Sequence, residues 1–282
     1  MKKFCLAGLV FAALAASGLA CAADLPTKAP AINPIYSWTG FYIGGNIGYS
    51  WGKTDTEAAF PGLAANIPQG VANVPGSSFS GSTNLNGWIS GAQIGYNFQF
   101  DNWLAGIETD LQASGEKGDF NDQGVASSVA STCCGGVEVE ITGSNTTTYE
   151  AKISWFGTVR GRFGWASNGL LLYGTGGVAY GRVNLSGTTT LSGTITCVSH
   201  CGLWLPVSFA NSTPFGTSGI NVGWALGGGL EGAVPNMSNF TWKVEYLHID
   251  LGSLDLAATT AGVSAHARFT DDIGRVGVNY HF

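Results

Sequence analysis

Among the ionisable residues that stand two positions apart are Glu108 with Asp110, Arg160 with Arg162, and Lys243 with Glu245. In each run the large apolar residues have the opposite parity, so an extended chain projects both charges to the side away from them. Glu231 and Arg275 hold equivalent positions in two further runs, giving four acids against four bases on one kind of face. Charges that leave water must be paired and hydrogen-bonded. The residue types predict Arg160 and Arg162 paired with Glu108 and Asp110, and Lys243, Glu245, Arg275 and Glu231 forming a second group. The functional alternative is a selectivity constriction lined by the same side chains.

Other residues could do chemistry of their own. A histidine beside carboxylates can activate water or a hydroxyl, and His248, Asp250, His266, Asp271 and Asp272 fall close together in the chain. No nucleophile motif accompanies them, so they read as an ordinary wet rim and no catalytic residue is expected. Imidazole also ligates haem; His200 and His266 are the exposed candidates, but the four histidines show no repeated pairing. No cofactor and no metal are expected. Cys133, Cys134, Cys197 and Cys201 read as disulfide partners in an oxidising compartment, and four cysteines allow three connectivities among which the sequence does not choose.

Eight strands position these residues, from about 40–51, 87–100, 103–113, 152–165, 170–183, 220–234, 240–251 and 275–282. In the first, Phe41, Ile43, Ile47, Tyr49 and Trp51 share one face and Tyr42, Gly44, Asn46, Gly48 and Ser50 the other. The fourth sets Ile153, Trp155, Val159, Phe163 and Trp165 against Ser154, Thr158, Arg160 and Arg162. Glycines blur the alternation of the fifth, whose facing stays open. Asp101-Asn102, Ser167-Asn168-Gly169 and Pro235–Asn239 read as tight turns. The Gly-, Ser-, Asn- and Pro-rich segments 53–85, 115–150 and 184–218, and a shorter one from Gly252, read as long exposed loops on the opposite side.

Composition says what surrounds the strands. Asp, Glu, Lys and Arg make up 11% of the 282 residues, too few to coat a water-facing globule, where about 25% is usual. No segment after the N-terminus has the apolar length of a membrane-spanning helix. Aromatics at 12% and 43 glycines suit a membrane barrel, and a net charge of −6 excludes a phosphate-neutralising role on nucleic acid. Residues 1–22 read as a secretory signal, basic at Lys2 and Lys3 and apolar to Leu19. Residues 23–38 read as a periplasmic leader and 39–282 as the barrel.

The last strand carries a further signal. Arg275 to Phe282 runs polar, any, Gly277, any, any, Tyr280, any, terminal Phe282, which resembles the assembly signal of bacterial outer-membrane barrels. Together with Ala23-Asp24-Leu25-Pro26, the run Trp38 to Tyr49, the run Leu172 to Gly181 and Lys243-Val244-Glu245-Tyr246-Leu247, it is similar to the small outer-membrane immunogenic proteins of alphaproteobacteria, a porin-family, OmpA-like group that includes haemin-binding members. The loops and their four cysteines depart from that pattern. The resemblance implies an all-β fold, an eight-stranded antiparallel up-and-down transmembrane β-barrel in the outer membrane. Its expected partners are outer-membrane lipids, lipopolysaccharide, the barrel-assembly machinery and periplasmic chaperones, and its expected state is a monomer. The expected role is structural or surface-interacting with a plugged lumen; a narrow diffusion channel is the alternative, and haemin or ligand binding by the loops a third.

Overall fold

The computed structural model describes residues 36–60, 63–67, 70–74, 76–131, 138–199, 206–256 and 264–282. Its strands are β1 (Gly40–Phe60), β2 (Leu63–Ile67), β3 (Gly70–Val74), β4 (Ser77–Phe100), β5 (Trp103–Ser131), β6 (Glu138–Ser167), β7 (Leu170–Ser199), β8 (Val207–Val234), β9 (Met237–Leu256) and β10 (Ser264–His281). Eight of them close a ring in the order β1-β10-β9-β8-β7-β6-β5-β4, every neighbour antiparallel, while β2 and β3 pair only with each other. Three two-residue turns join β4–β5, β6–β7 and β8–β9 at one end. Their positive φ falls on Asp101, Asn168, Gly169 and Asn236, residue types that tolerate the left-handed region.

The strands run far beyond the sequence-based bounds. β6 and β7 each have 30 residues, whereas about 9–11 suffice to cross a bilayer. Much of each expected long loop is therefore strand, with 53–60, 77–85, 116–131, 138–150, 184–199, 207–218 and 264–274 all in ladder register. On β6 and β7 threonine supplies a reason. Thr146, Thr147 and Thr148 face Thr190, Thr189 and Thr188 across β6 and β7, and β-branched cross-strand pairs support a sheet without any apolar alternation.

Polarity inverts along the barrel. Nearer the turns the wall is apolar outside, where Ile47, Ile94, Leu111 and Val222 are exposed, and polar inside, where Asn97, Thr158 and Thr241 are buried. Aromatic rings edge this belt. Phe41, Phe98, Trp103, Trp165 and Tyr280 lie at the turn end, and Trp51, Trp88, Trp155, Tyr180 and Trp224 at the other. Past that second ring, Lys117, Asp119, Glu150 and Lys152 face outward, and Tyr149, Ile153, Val183, Leu185, Phe215 and Phe269 fill the interior.

A bulge makes the switch on β6. Pairing slips between Ile153 and Trp155, so odd residues face inward before it and outward after it. Ile153, expected outside, is thus 1% exposed and sits inside. On β7 the open facing resolves with Leu171, Tyr173 and Thr175 inward and Leu170, Leu172 and Val178 outward. Residues 1–35, which hold the expected signal and most of the leader, lie outside the described residues, but Trp38 is 1% exposed and packs on Leu104, Ala166, Leu171 and Tyr173 at the turn end.

Trypsin separates strand from loop. Lys117, Lys152 and Arg182 stand in paired strands, and the folded protein should resist cleavage after all three; rapid cutting there on the timescale of unfolded controls would restore the loop reading.

Candidate functional site

The eight predicted charges lie in one layer inside the belt, all with fully buried side chains. Strand register brings them there. Glu108 on β5 stands directly opposite Arg160 on β6, Glu231 on β8 opposite Lys243 on β9, and Glu245 on β9 opposite Arg275 on β10.

The contacts cross the lumen as well as neighbouring strands. Arg160 donates from Nη2 to Glu108 Oε1 at 2.5 Å and Asp110 Oδ2 at 3.0 Å, and from Nη1 to Glu245 Oε1 at 3.3 Å. Lys243 Nζ lies 3.0 Å from both Glu108 carboxylate oxygens. Arg275 donates to Glu245 Oε2 from Nε at 2.7 Å and to Asp110 Oδ2 from Nη2 at 2.8 Å. Arg162 reaches Glu231 Oε2 at 2.7 Å and is only 3.4 Å from Glu108. The two separate groups expected from the sequence are therefore one network. Lys243 abandons its neighbour Glu231 for Glu108 because an eight-stranded ring is narrow enough for side chains to meet across it.

Residues outside the predicted set complete the layer. Tyr42 donates to Glu108 Oε2 at 2.7 Å and accepts from Arg162 at 2.5 Å; Tyr173 donates to Glu245 at 2.8 Å and lies under the Arg162 guanidinium, 4.0 Å from ring centre to Cζ. Thr241 and Asn279 donate to Glu231 Oε1 at 2.6 and 2.7 Å. The inward parity of Tyr42 was readable, whereas that of Tyr173 was masked by its glycine neighbours. Glycines on other strands make room for both rings: a Cβ on Gly95 of β4 would collide with the Tyr42 phenol and one on Gly229 of β8 with the Tyr173 hydroxyl.

Just past the second aromatic ring is a smaller buried polar cluster that the sequence did not reveal. Glu116 and Asp271 are inward and buried; Ser114 donates to Glu116 at 2.9 Å, and Ser50 donates to Asp271. Burial, reinforced by the Asp271 charge, pushes the Glu116 carboxyl well above the usual range, and burial pushes Asp271 up to about 6.

The remaining candidates do not converge. His248 lies 2.7 Å from Asp272, which also accepts from Tyr246 at 2.6 Å, on the outer wall. His266 lies 2.5 Å from Asp255, and Arg268 2.5 Å from Asp250, while Asp271 faces the interior. Cys197 is disulfide-bonded; Cys133, Cys134, His200 and Cys201 lie outside the described residues. Gly277, Tyr280 and Phe282 of the assembly signal end the closing strand, with Tyr280 and Phe282 on the outer wall and the Phe282 amide bonded to Phe41 O at 3.0 Å.

A closed antiparallel ring with an apolar aromatic-edged belt outside and ions inside is a membrane β-barrel. The chain belongs to the outer membrane protein beta-barrel domain family, whose sequence profile matches residues 9–282. It is 33% identical over 290 residues to the 31 kDa outer-membrane immunogenic protein of Brucella melitensis biotype 1, with 100% of each chain covered. Identity is 27% over 277 residues to the 25 kDa outer-membrane immunogenic protein of Brucella canis, covering 97% of this chain and 93% of that one. It is 28% over 224 residues to the 22 kDa outer membrane protein of Rhizobium leguminosarum bv. viciae, covering 79% and 69%. The protein is an outer-membrane β-barrel of this immunogenic-protein type, located in the cell outer membrane.

The acid cluster makes stability depend on pH. A carboxyl with a raised folded-state pKa holds its proton more tightly in the barrel than in the unfolded chain. Its contribution is complete below about pH 4 and is lost as pH rises through about 6. The rise at Asp271 corresponds to at most about 3 kcal/mol. Denaturation midpoints should fall between pH 4 and 8, and Asp271→Asn should flatten that fall; an unchanged profile in the variant would contradict the assignment.

Proposed function

We propose that this protein is a sealed barrel whose task is to hold its long strand extensions, and the segments joining them, outside the outer membrane as an interaction surface, with the tight turns on the periplasmic side. The observation that carries this reading is the filling of the interior at successive depths. Trp38 with Leu104 and Leu171 packs across the turn end, the ion network fills the belt, and Ile89, Phe156, Leu247, Ile249 and Ile273 fill the level beyond. An eight-stranded ring is only wide enough for its side chains to occupy. Paired ions under an apolar layer support a closed lumen over a path for a hydrated solute.

The name of the Brucella relatives, outer-membrane immunogenic proteins, suits a molecule with a large polar surface beyond the bilayer. Barrels use such surfaces for contact while their lumens serve as packed cores.

The refolded mature chain, verified as a barrel by its heat-dependent gel mobility, should give no steady unitary conductance in a planar bilayer. Steady channels whose ion preference changes when Arg160 and Arg162 are replaced would overturn this reading and make the network a filter.

A further inference from the structure

Five cations of the described chain face outward: Lys53, Lys117, Lys152, Arg182 and Arg268. Two are matched, Lys53 by Asp55 at 3.1 Å and Arg268 by Asp250 at 2.5 Å. The other three cluster on β5, β6 and β7. Lys117 stands directly opposite Lys152, and Arg182 stands opposite Trp155, one rung nearer the belt. Among the described residues no carboxylate lies within 4.0 Å of any of the three, and Arg182 has only the Ser218 hydroxyl, at 3.5 Å. Directly opposed side chains on a sheet are about 4.5–5.5 Å apart at Cβ, and like charges there repel. An anion between them turns that repulsion into attraction.

Depth identifies the anion. The lysine rung follows immediately on Trp88, Trp155 and Tyr180, and such rings mark the level where hydrocarbon gives way to headgroups. Arg182, exposed at ring level, is long enough to carry its guanidinium up to the same depth. The next rung outward places Asp119 opposite Glu150, which repels an anion lying any farther from the membrane. Attraction is therefore confined to a single layer.

We propose that Lys117, Lys152 and Arg182 form a docking site on the outer wall for the phosphorylated headgroup of an outer-leaflet glycolipid of the lipid A type. The proposal rests on the orientation given above, with the extensions facing outside. Asn86, which flanks Lys117 in the same rung, adds a neutral donor for sugar hydroxyls or phosphate oxygens, whereas Asn184 beside Lys152 already donates to Ser154 Oγ at 2.7 Å.

The test is a titration of the refolded mature chain in detergent with bis-phosphorylated lipid A and with lipid A stripped of both phosphates, read by the fluorescence of the tryptophans beside the site. The wild type should bind the phosphorylated lipid at least about tenfold more tightly, the order expected for losing a charge-assisted contact. The K117Q/K152Q double variant should lose that preference, and K53Q, whose ammonium is already paired, should keep it. In lipid-free detergent, K152Q should melt at the same temperature as the wild type or higher. The charge directly opposite Lys152 is the like charge of Lys117, while Asp119 and Glu150 stand one rung farther and no carboxylate among the described residues lies within 4.0 Å. Equal affinity for both lipids, an unaffected double variant, an equally damaging K53Q, or a clearly lower melting point for K152Q would each overturn the site. Micelles have no sidedness, so this outcome is independent of orientation; labelling of Lys53 on intact cells by an impermeant amine reagent reports orientation separately.

Discussion

Moving a single ion out of water costs several kcal/mol even after the surroundings relax, and this barrel holds eight in one layer with no exposed side-chain surface. The cost is offset only if every charge meets opposite charge and hydrogen-bond partners at once. That requirement fixes the register of β5, β6, β8, β9 and β10 together, since moving any strand by one residue would turn its ions outward into lipid. Glu108 is the centre: it meets Arg160, Lys243 and, at longer range, Arg162, and accepts from Tyr42. Tyr173 and Tyr42 bind ions at their hydroxyls while their rings pack against neighbours, so they join the ionic layer to the Trp38 cluster below it.

The wall above that layer obeys the opposite rule. Within the belt the solvent outside is apolar and the interior must satisfy charge; beyond it the outside is water and the interior can be aliphatic. A single chain meets both conditions by shifting parity at bulges on β6 and by changing composition on β1 and β10, where parity stays constant. Glu116 and Asp271 sit where the two regimes meet. Burial there, with no cation beside them among the described residues, is what raises the pKa of both carboxyls.

The membrane half of the barrel was legible because its outward face must be apolar and its inward face cannot be. Alternation of Trp88, Ile94 and Phe98 with Gln93, Asn97 and Gln99 carries strand, facing and depth in one pattern. The extensions were not legible. Their outward threonines, serines and asparagines have the composition of loops, and their large inward residues such as Tyr149, Phe215 and Phe269 stand too far apart among threonines, alanines and glycines to mark a period; only the ladder partners reveal them as strands. The charged residues were readable by parity, but their partners were not, because contacts across a narrow lumen depend on ring closure that no local window contains. The outer-wall lysines were missed for the same reason, as Lys117 and Lys152 become neighbours only through the pairing of β5 with β6.

The most direct test of the ionic layer is a double-mutant cycle on Glu108 and Arg160, with Glu108→Gln, Arg160→Met and the pair together compared by reversible denaturation in detergent. If the layer acts as one mutually satisfied network, each single change strands charges in the interior and costs about 3–5 kcal/mol. The double variant should then cost at least about 2 kcal/mol less than the sum of the singles. Additive effects of less than about 1 kcal/mol each, the size found for solvated ion pairs, would contradict the account and describe a wet lumen whose charges are independent.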